Sequence, residues 1–322
     1  CYENRSGGNE TIQNHQAIRL SIPSQQMKVL ITGANGLLGQ KLVDLLKQQG
    51  VDFLATSQGA SRIVTPGINY HSLDIRDPEE VNTVIAEYKP SVVINTAAMT
   101  QVDQCETDRK KCWNLNVTAV AHLVEACDEN GTHLVHLSTD FIFDGKNGPY
   151  REDDEPNPIN FYGESKLAAE RLLVGSSIQW SIVRTILVYG TTQGPSRSNI
   201  ILWVKSNLES GKSIQVVDDQ FRTPTLVEDL AIGCYQVAKK SASGIYHISG
   251  KDMLTPYDMA ILTAEHFSLD KSLIHRTTSD VFKQPAARPM RTGFIIEKAQ
   301  SDLGYQPRSF EAGLTLIAPA SE

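Results

Sequence analysis

The sequence predicts an α/β protein in which helices cover both faces of a parallel sheet and a smaller lobe follows toward the carboxyl terminus. Short apolar segments alternate with amphipathic helical segments up to about residue 189, and the later chain is less regular. At 322 residues, with 40% hydrophobic and 21% charged residues, the chain is globular and too long for one compact core.

Nine predicted elements carry this alternation. Apolar runs give the strands, and the Asp77-Pro78 pair has the form of an N-cap followed by a proline at the first helical position. Because strands and helices alternate, we expect a doubly wound, Rossmann-type parallel sheet that binds ligands at the carboxyl ends of its strands. In chain order the elements are strand 28–32, helix 37–49, strand 53–56, helix 78–88, strand 92–96, helix 110–130, strand 134–138, helix 161–173 and strand 181–188.

Three regions follow from the pattern. Residues 27–190 form the sheet domain, residues 191–322 form mainly the smaller lobe, and residues 244–249 return to the sheet as a late strand. Residues 1–26 are polar and lack the apolar core of a signal peptide, so we expect a disordered leader. We interpret Cys1 as part of a fragment or a leader artefact, and the alternative is a lipid-modified cysteine.

Composition and charge exclude several partner classes. A net charge of −7, without a dense Lys/Arg stripe, argues against nucleic acid, and no apolar run reaches the roughly 20 residues that cross a membrane. The five cysteines lack metal-type spacing and indicate reduced thiols in a cytoplasmic protein. His133 and His136 lie three residues apart on a strand and point to opposite faces, so we expect no metal site.

A glycine-rich turn joins the first strand to the first helix. Residues 33–39 read GANGLLG, which is a G-x-x-G-x-x-G motif. Such a turn lets a pyrophosphate approach the backbone and presents free helix N–H groups to negative charge. This predicts a dinucleotide cofactor bound at Gly33, Asn35, Gly36, Leu37 and Leu38.

The residues after the second strand favour NADP(H), with NAD(H) as the alternative. NAD sites usually place an acidic residue there, whereas this chain has Ser57 and then Arg62, which suit a 2′-phosphate. A solvated surface Arg62 is the competing interpretation. Further predicted cofactor contacts are adenine-facing or small residues at strand ends, namely Asp74, Ile75, Ala97 and Ala98. Tyr162 and Lys166, on a later helix, are also predicted to contact the cofactor.

Tyr162 and Lys166 lie four residues apart on one face of a predicted helix. A fixed ammonium would lower the phenol pKa from about 10, and the pair could protonate a carbonyl oxygen while a nicotinamide delivers hydride. Y-x-x-x-K alone is common by chance. Ser138 and Thr139, at the end of the preceding strand, add a hydroxyl for the same carbonyl, so together these residues predict a nicotinamide-dependent oxidoreductase.

From Met27 to about Leu316 the chain resembles the extended short-chain dehydrogenases/reductases and, within them, the dTDP-4-dehydrorhamnose reductase family. The motifs that begin at residues 138 and 219 point to this family in particular. The segments that carry the resemblance are VLITGANGLLG at 29–39, AAMTQVD at 97–103, STDFIFDG at 138–145, YGESK at 162–166 and DQFRTPT at 219–225.

The resemblance implies a reaction and a set of roles. The family's catalytic Thr, Tyr and Lys correspond to Thr139, Tyr162 and Lys166, residues 27–190 would bind NAD(P), and residues 191–322 would mainly bind substrate. The implied reaction is the reduction of a 4-keto deoxysugar nucleotide, dTDP-4-dehydro-L-rhamnose, to dTDP-L-rhamnose. The implied substrate contacts are Thr100, Val102, Asp140 and Arg288.

Some residues depart from the family pattern or have a simpler interpretation. Leu187 stands where the family often has an aromatic residue that would stack on the sugar, Arg288 is alternatively a surface residue before Pro289, and Asn199 is alternatively an N-cap. Two other functions stay open: a nucleotide-sugar epimerase or dehydratase that retains NAD, and a non-catalytic NADP-binding regulatory subunit similar to that of methionine adenosyltransferase. We also allow for a homodimer.

Overall fold

The computed structural model describes residues 27–192 and 199–317, and these residues form eleven strands and eleven α-helices. The strands are β1 Lys28–Thr32, β2 Asp52–Ser57, β3 Tyr70–Ser72, β4 Val92–Asn95, β5 His133–Thr139, β6 Trp180–Thr185, β7 Val188–Tyr189, β8 Ile214–Val217, β9 Thr225–Leu226, β10 Gly244–His247 and β11 Ile274–Thr277. The helices are α1 Leu37–Gln48, α2 Pro78–Tyr88, α3 Val102–Thr107, α4 Arg109–Trp113, α5 Ala119–Asn130, α6 Phe161–Val174, α7 Ile200–Glu209, α8 Val227–Lys239, α9 Pro256–His266, α10 Glu297–Leu303 and α11 Phe310–Leu314.

Seven of these strands form the central sheet. Their spatial order is β10-β6-β5-β4-β1-β2-β3, and every neighbouring pair is parallel. The order of the strands reverses between β1 and β4, which is the point where doubly wound sheets bind ligands. The predicted Rossmann-type α/β fold is therefore confirmed, and so is the late strand, because β10 pairs with β6 at the edge of the sheet.

Helices cover both faces of this sheet because each buries one apolar stripe. On one face α1 packs against α8, and α1 contributes Leu42, Val43 and Leu46 to the core. On the other face α2 packs against α5, which in turn packs against α6. Asp77 begins α2 as predicted, since its side chain accepts hydrogen bonds from the N–H groups of Glu79 and Glu80.

A smaller group of elements packs around two further apolar clusters. It contains the parallel pairs β8–β11 and β7–β9 and the helices α7, α9 and α11. Asn199 is the N-cap of α7, where its side chain accepts from the N–H groups of Ile201 and Leu202. The simpler interpretation of Asn199 is thus confirmed.

Two predicted elements are wrong in part. The predicted strand 181–188 ends at Thr185, because Leu187 has a φ of 36° in the left-handed region, and β7 then pairs with β9 outside the central sheet. The predicted helix 110–130 contains a π-helical turn at Asn114–Thr118, which divides it into α4 and α5. Helix α3, immediately before it, was not predicted.

The predictions for residues 1–26, including Cys1, lie outside the described residues. Across the part of the chain that the structure covers, none of the helices combines the length and the apolar character that a membrane span requires. The four cysteines in that part are free and buried.

A buried ion pair joins α6 to β6 and gives a first test. Arg184 donates to the two carboxylate oxygens of Glu170 at 3.0 and 2.8 Å, and these side chains are 3% and 4% exposed. Removing one partner leaves a buried charge unpaired, so we expect Arg184→Met to lower the free energy of unfolding by about 3–5 kcal/mol in urea titrations. Arg151→Met, from the exposed pair with Glu297, is the control and should cost at most about 1 kcal/mol. Equal losses in the two variants would contradict this.

Candidate functional site

The glycine-rich turn after β1 packs tightly against the segment that follows β4. Gly33 has a φ of 71°, and a Cβ there would lie 2.7 Å from both the Ala97 nitrogen and Thr96 Oγ1. Thr96 Oγ1 also donates to the Thr32 carbonyl at 2.6 Å. Because glycine alone suits both the conformation and the space, the turn is fixed at the edge of the sheet beside Ala97 and Ala98.

Helix α1 begins at the end of this turn. Its N-cap is Gly36, and no described side chain caps its first N–H groups. A Cβ added to Gly36 would meet only the Gly33 carbonyl within 4 Å, at 3.1 Å, so the face of the turn is open. An open turn with free helix N–H groups attracts anions, and residues Asn35–Leu38 therefore fit the pyrophosphate of a dinucleotide.

Asn35 ties the loop after β2 to the glycine-rich turn. Its Nδ2 donates to the Ala60 carbonyl at 2.9 Å, and its Oδ1 accepts from the Arg62 N–H at 2.8 Å. Arg62 is thereby held beside the turn, with an exposed side chain that forms no ion pair in the described ranges. Ser57 is the last residue of β2, at the same edge of the sheet.

The Asp74 carboxylate, predicted to face the adenine, is engaged by its neighbours. Arg76 donates to it from Nε at 2.9 Å and from Nη2 at 2.6 Å, and Gln58 donates to Oδ2 at 3.2 Å. The Arg76 hydrogen bonds hold the pKa of Asp74 below its usual range. Ile75 is buried, and β3 ends earlier than expected, at Ser72. A surface cleft of about 490 Å³ lies beside this ion pair, lined by Asp74, Arg76, Asp77, Pro78, Glu79 and Asn114.

Two local features bring α6 against the end of β5. Asn160 caps the helix, since its Oδ1 accepts from the Gly163 N–H at 2.9 Å. Gly163 then allows a close approach, because a Cβ there would lie 2.1 Å from the Phe141 carbonyl oxygen. The helix thus carries Tyr162 and Lys166 to the carboxyl end of β5. The three predicted catalytic side chains are all buried there, Thr139 at 6%, Tyr162 at 8% and Lys166 at 2% exposed.

Tyr162 is held in its protonated form. Burial raises the pKa of Tyr162, and a hydrogen bond with Thr139 opposes that rise. The expectation that Lys166 would lower the Tyr162 pKa is wrong for the protein by itself, because desolvation of the phenolate raises that pKa and the hydrogen bond that opposes the rise comes from Thr139. A protonated phenol suits the reduction of a carbonyl, since the substrate oxygen must receive a proton.

Lys166 contacts a residue that the sequence analysis did not connect with it. Its Nζ lies 3.1 Å from His136 Nε2, and His136 Nδ1 lies 3.0 Å from Asn95 Nδ2. Burial lowers the pKa of Lys166 to about 8 and holds the pKa of His136 well below its usual range. A signal for this contact was present in the sequence, because Asn95 and His136 are polar residues within two predicted buried strands. The structure pairs them across β4 and β5.

Asp140 is enclosed by protein groups. Its Oδ1 accepts from Thr139 Oγ1 at 3.1 Å, and its Oδ2 accepts from Thr292 Oγ1 and lies 3.6 Å from Arg222 Nε. Burial raises the pKa of Asp140, and the Arg222 charge opposes that rise. Asp140 therefore orients the Thr139 hydroxyl. Arg222 and Thr292 were missed as site residues, although Arg222 lies in the segment 219–225 that the sequence analysis singled out.

The other predicted substrate contacts gather at the start of α3. Arg288 donates to the two carboxylate oxygens of Asp103 at 2.6 and 2.7 Å, and these hydrogen bonds lower the pKa of Asp103. Asp103 follows Val102 in α3, and Thr100 lies two residues before Val102. The Arg288 guanidinium is thus engaged by a carboxylate and not simply exposed at the surface.

Comparison with known proteins identifies the family. The family model described as the RmlD substrate binding domain matches residues 27–321. The chain belongs to this family. The family is of the oxidoreductase type and includes reductases of sugar nucleotides, so the predicted family is confirmed at this level.

Individual relatives cover most of the chain. A dTDP-4-dehydrorhamnose reductase from Aggregatibacter actinomycetemcomitans is 32% identical over 310 residues, which are 92% of this chain and 99% of that protein. Methionine adenosyltransferase 2 subunit beta from Xenopus tropicalis is 33% identical, covering 81% of this chain and 78% of that protein. A crystal structure of dTDP-4-dehydrorhamnose reductase from Bacillus anthracis in complex with NADP has a TM-score of 0.80 at 29% identity, covering 90% of this chain and 97% of that chain.

The buried amine predicts a pH-dependent stability. The Lys166 pKa is about 8 in the folded chain and about 10.4 in an unfolded one, so the unfolded state binds more protons between these values and wild-type stability rises with pH there. Lys166→Met removes this dependence. The variant should be the more stable protein near pH 7, and its advantage should shrink by roughly 2–3 kcal/mol by about pH 10, measured by denaturant titration at each pH.

The control for this prediction is Lys271→Met, because Lys271 lies in an exposed ion pair with Glu265. Its effect on the free energy of unfolding should stay within about 1 kcal/mol at every pH. A difference between Lys166→Met and wild type that is constant over this pH range would contradict the lowered Lys166 pKa.

Proposed function

We propose that this protein uses NADPH to reduce the 4-keto group of a nucleotide-linked deoxysugar, converting dTDP-4-dehydro-L-rhamnose to dTDP-L-rhamnose. One observation supports the proposal most directly. Buried Thr139, Tyr162 and Lys166 side chains meet at the carboxyl edge of the sheet, beside an open glycine-rich turn. The likeness to dTDP-4-dehydrorhamnose reductases over nearly the whole chain supports the choice of sugar.

In this reaction Tyr162 donates its proton to the keto oxygen of the sugar. A bound NADPH would supply the hydride. Burial keeps Tyr162 protonated, so the acid is ready before the reaction begins. The Thr139 hydroxyl donates a hydrogen bond to Asp140 and can accept one from Tyr162, which fixes the position of the phenol. Lys166 in its protonated form would stabilise the phenolate that remains.

The preference for NADP(H) rests on the loop beside the glycine-rich turn. Asn35 holds the backbone of Arg62 there, and Ser57 ends β2 at the same edge. The described residues of this loop present a guanidinium without a carboxylate partner, which suits a 2′-phosphate. The NADP complex of the Bacillus anthracis relative is in line with this choice, and NAD(H) stays the alternative.

Substrate binding is proposed for the cluster at the start of α3. Thr100 and Val102 would contact the sugar, and Arg288, held by Asp103, would lie toward the nucleotide pyrophosphate. Asp140 acts in this proposal through Thr139, because its two oxygens already accept from protein hydroxyls. The assignment of residues 27–190 to the cofactor and of residues 191–322 mainly to the substrate belongs to the same proposal.

A second candidate is a non-catalytic cofactor-binding subunit, which the likeness to methionine adenosyltransferase 2 subunit beta favours. The presence of all three reacting side chains, Thr139, Tyr162 and Lys166, favours an enzyme instead. A cytoplasmic location and a homodimer remain predictions.

The proposed reaction is tested by following NADPH oxidation with a panel of 4-keto nucleotide sugars. Wild type should turn over the dTDP-linked 6-deoxy-4-keto sugar, and Tyr162→Phe should reduce kcat by at least about a hundredfold, the usual scale of a lost general acid. NADPH affinity of the variant should be largely kept. Turnover with no member of the panel, despite tight NADPH binding, would favour the regulatory subunit, and near-normal turnover of Tyr162→Phe would remove the tyrosine from its role.

The choice of cofactor is tested by calorimetric titration of NADPH and NADH. A charge-assisted hydrogen bond to phosphate is worth roughly 1.5–3 kcal/mol, so Arg62→Ala should weaken NADPH about ten- to a hundredfold and leave NADH nearly unchanged. Arg151→Ala, from the exposed pair with Glu297, should change neither affinity. A wild type that prefers NADH, or an equal loss for the two cofactors, would exclude the assignment.

A further inference from the structure

We propose that His136 is a positioning residue that favours the neutral amine form of Lys166, through a chain of hydrogen bonds that the backbone N–H of Ala97 anchors. The inference deepens the proposed function, and its consequence for catalysis rests on that function. The hydrogen-bond chain itself can be tested on the protein without substrate.

The chain of hydrogen bonds crosses three neighbouring strands at one level of the sheet. Thr32, Asn95 and His136 are register partners across β1, β4 and β5. Thr32 Oγ1 donates to Asn95 Oδ1 at 2.6 Å, Asn95 Nδ2 lies 3.0 Å from His136 Nδ1, and His136 Nε2 lies 3.1 Å from Lys166 Nζ. All four side chains are buried, so water does not compete for these hydrogen bonds.

The backbone N–H of Ala97 fixes which group donates and which accepts along the chain of hydrogen bonds. The Ala97 N–H lies 3.2 Å from Asn95 Oδ1 and can only donate, so the oxygen of the Asn95 amide must face it. The Asn95 Nδ2 group therefore faces His136 and donates to its Nδ1. Turning the amide over would set two N–H donors against each other at Ala97.

This direction decides the tautomer of His136. A ring nitrogen that accepts a hydrogen bond carries no proton, so a neutral imidazole with Nδ1 as acceptor has its proton on Nε2. Burial holds the pKa of His136 well below its usual range, which keeps the ring neutral. The Nε2–H group then points at Lys166 Nζ.

Lys166 must provide the lone pair for this hydrogen bond. An ammonium has no lone pair and would leave two donors facing each other in a buried site, whereas a neutral amine accepts the Nε2–H. The hydrogen bond thus acts in the same direction as burial, which lowers the pKa of Lys166 to about 8. The ionisable groups that act on Lys166 in the opposite direction are Glu170 on the same helix, Cys112 on α4 and Cys105 on α3.

Asn95→Asp reverses the donors and acceptors in the hydrogen bonds that join residue 95, His136 and Lys166, with almost no change in the shape of the side chain. An aspartate can still accept from Thr32 and from the Ala97 N–H, but its second oxygen must accept from His136 Nδ1–H. The lone pair of His136 then moves to Nε2, where it accepts from a Lys166 ammonium. His136→Gln is the uncharged counterpart, because its side-chain oxygen can turn toward the ammonium without adding charge.

The experiment measures which ring nitrogen of His136 carries the proton and the pH at which the Lys166 amine titrates. ¹⁵N NMR of histidine-labelled protein should report the Nε2–H tautomer of His136 in wild type and the Nδ1–H tautomer in Asn95→Asp. The titration of the Lys166 side chain in [ε-¹³C]lysine-labelled protein, assigned by its absence in Lys166→Met, should shift upward by at least about one unit in both Asn95→Asp and His136→Gln. The basic limb of the pH profile of kcat should move with it.

The outcomes separate this inference from the proposed function. An Nδ1–H tautomer in wild type, or a Lys166 titration that is unchanged in the two variants, overturns the role of His136 whatever the substrate. A shift in Asn95→Asp alone also overturns it, because the added charge would then explain the effect. If the shifts occur but no keto sugar is reduced, the proposed reaction fails and the role of His136 in setting the Lys166 titration stands.

Discussion

The burial of the Lys166 amine is the constraint on which the arrangement of the site depends. A buried amine needs polar partners that are already in place, and parallel strands provide them because their carboxyl ends meet at one edge of the sheet. Thr32, Asn95 and His136 stand at matching positions on β1, β4 and β5, so they form a polar line across an otherwise apolar sheet. A slip of one residue in any of these strands would turn its polar residue to the opposite face and leave Lys166 without that line.

Helix α6 is held against these polar residues by contacts on both sides of Lys166. The Asn160 cap fixes its start, and one turn after Lys166 the pair Glu170–Arg184 ties it to β6. A second buried pair, Asp140–Arg222, connects the end of β5 to the loop before β9. Buried pairs contribute little net stability but require one geometry, since any other arrangement leaves a charge unpaired. The first pair therefore fixes α6 against β6, and the second fixes how the later chain closes over the sheet. These effects matter more for the site than the contribution of the pairs to the free energy of unfolding.

Local sequence signals predicted the strands and helices of the protein, whereas contacts between residues far apart in the chain determine the chemistry of the site. The alternation of strands and helices, the glycine-rich turn and the spacing of Tyr162 and Lys166 are read within short windows, so the sheet and the helix of the site could be predicted. The contacts of Asp140 with Arg222, of Lys166 with His136 and of Arg288 with Asp103 join residues that are far apart in the chain, and no short window contains both members of any pair. The backbone at Leu187 shows the same limit, because the neighbouring sequence does not predict the positive φ that ends the strand there.

Desolvation explains why the expectation for Tyr162 had the wrong sign. The sequence argument treated Lys166 as a fixed cation beside a solvated phenol, in which case the phenolate would be favoured. In the structure both groups are buried, and a low dielectric penalises the phenolate and the ammonium alike. The neutral pair, a phenol with its proton and an amine with a lone pair, is the form that burial favours. A site of this kind holds a transferable proton on Tyr162 before any substrate arrives. The same burial that costs stability at Lys166 therefore prepares Tyr162 to act as an acid.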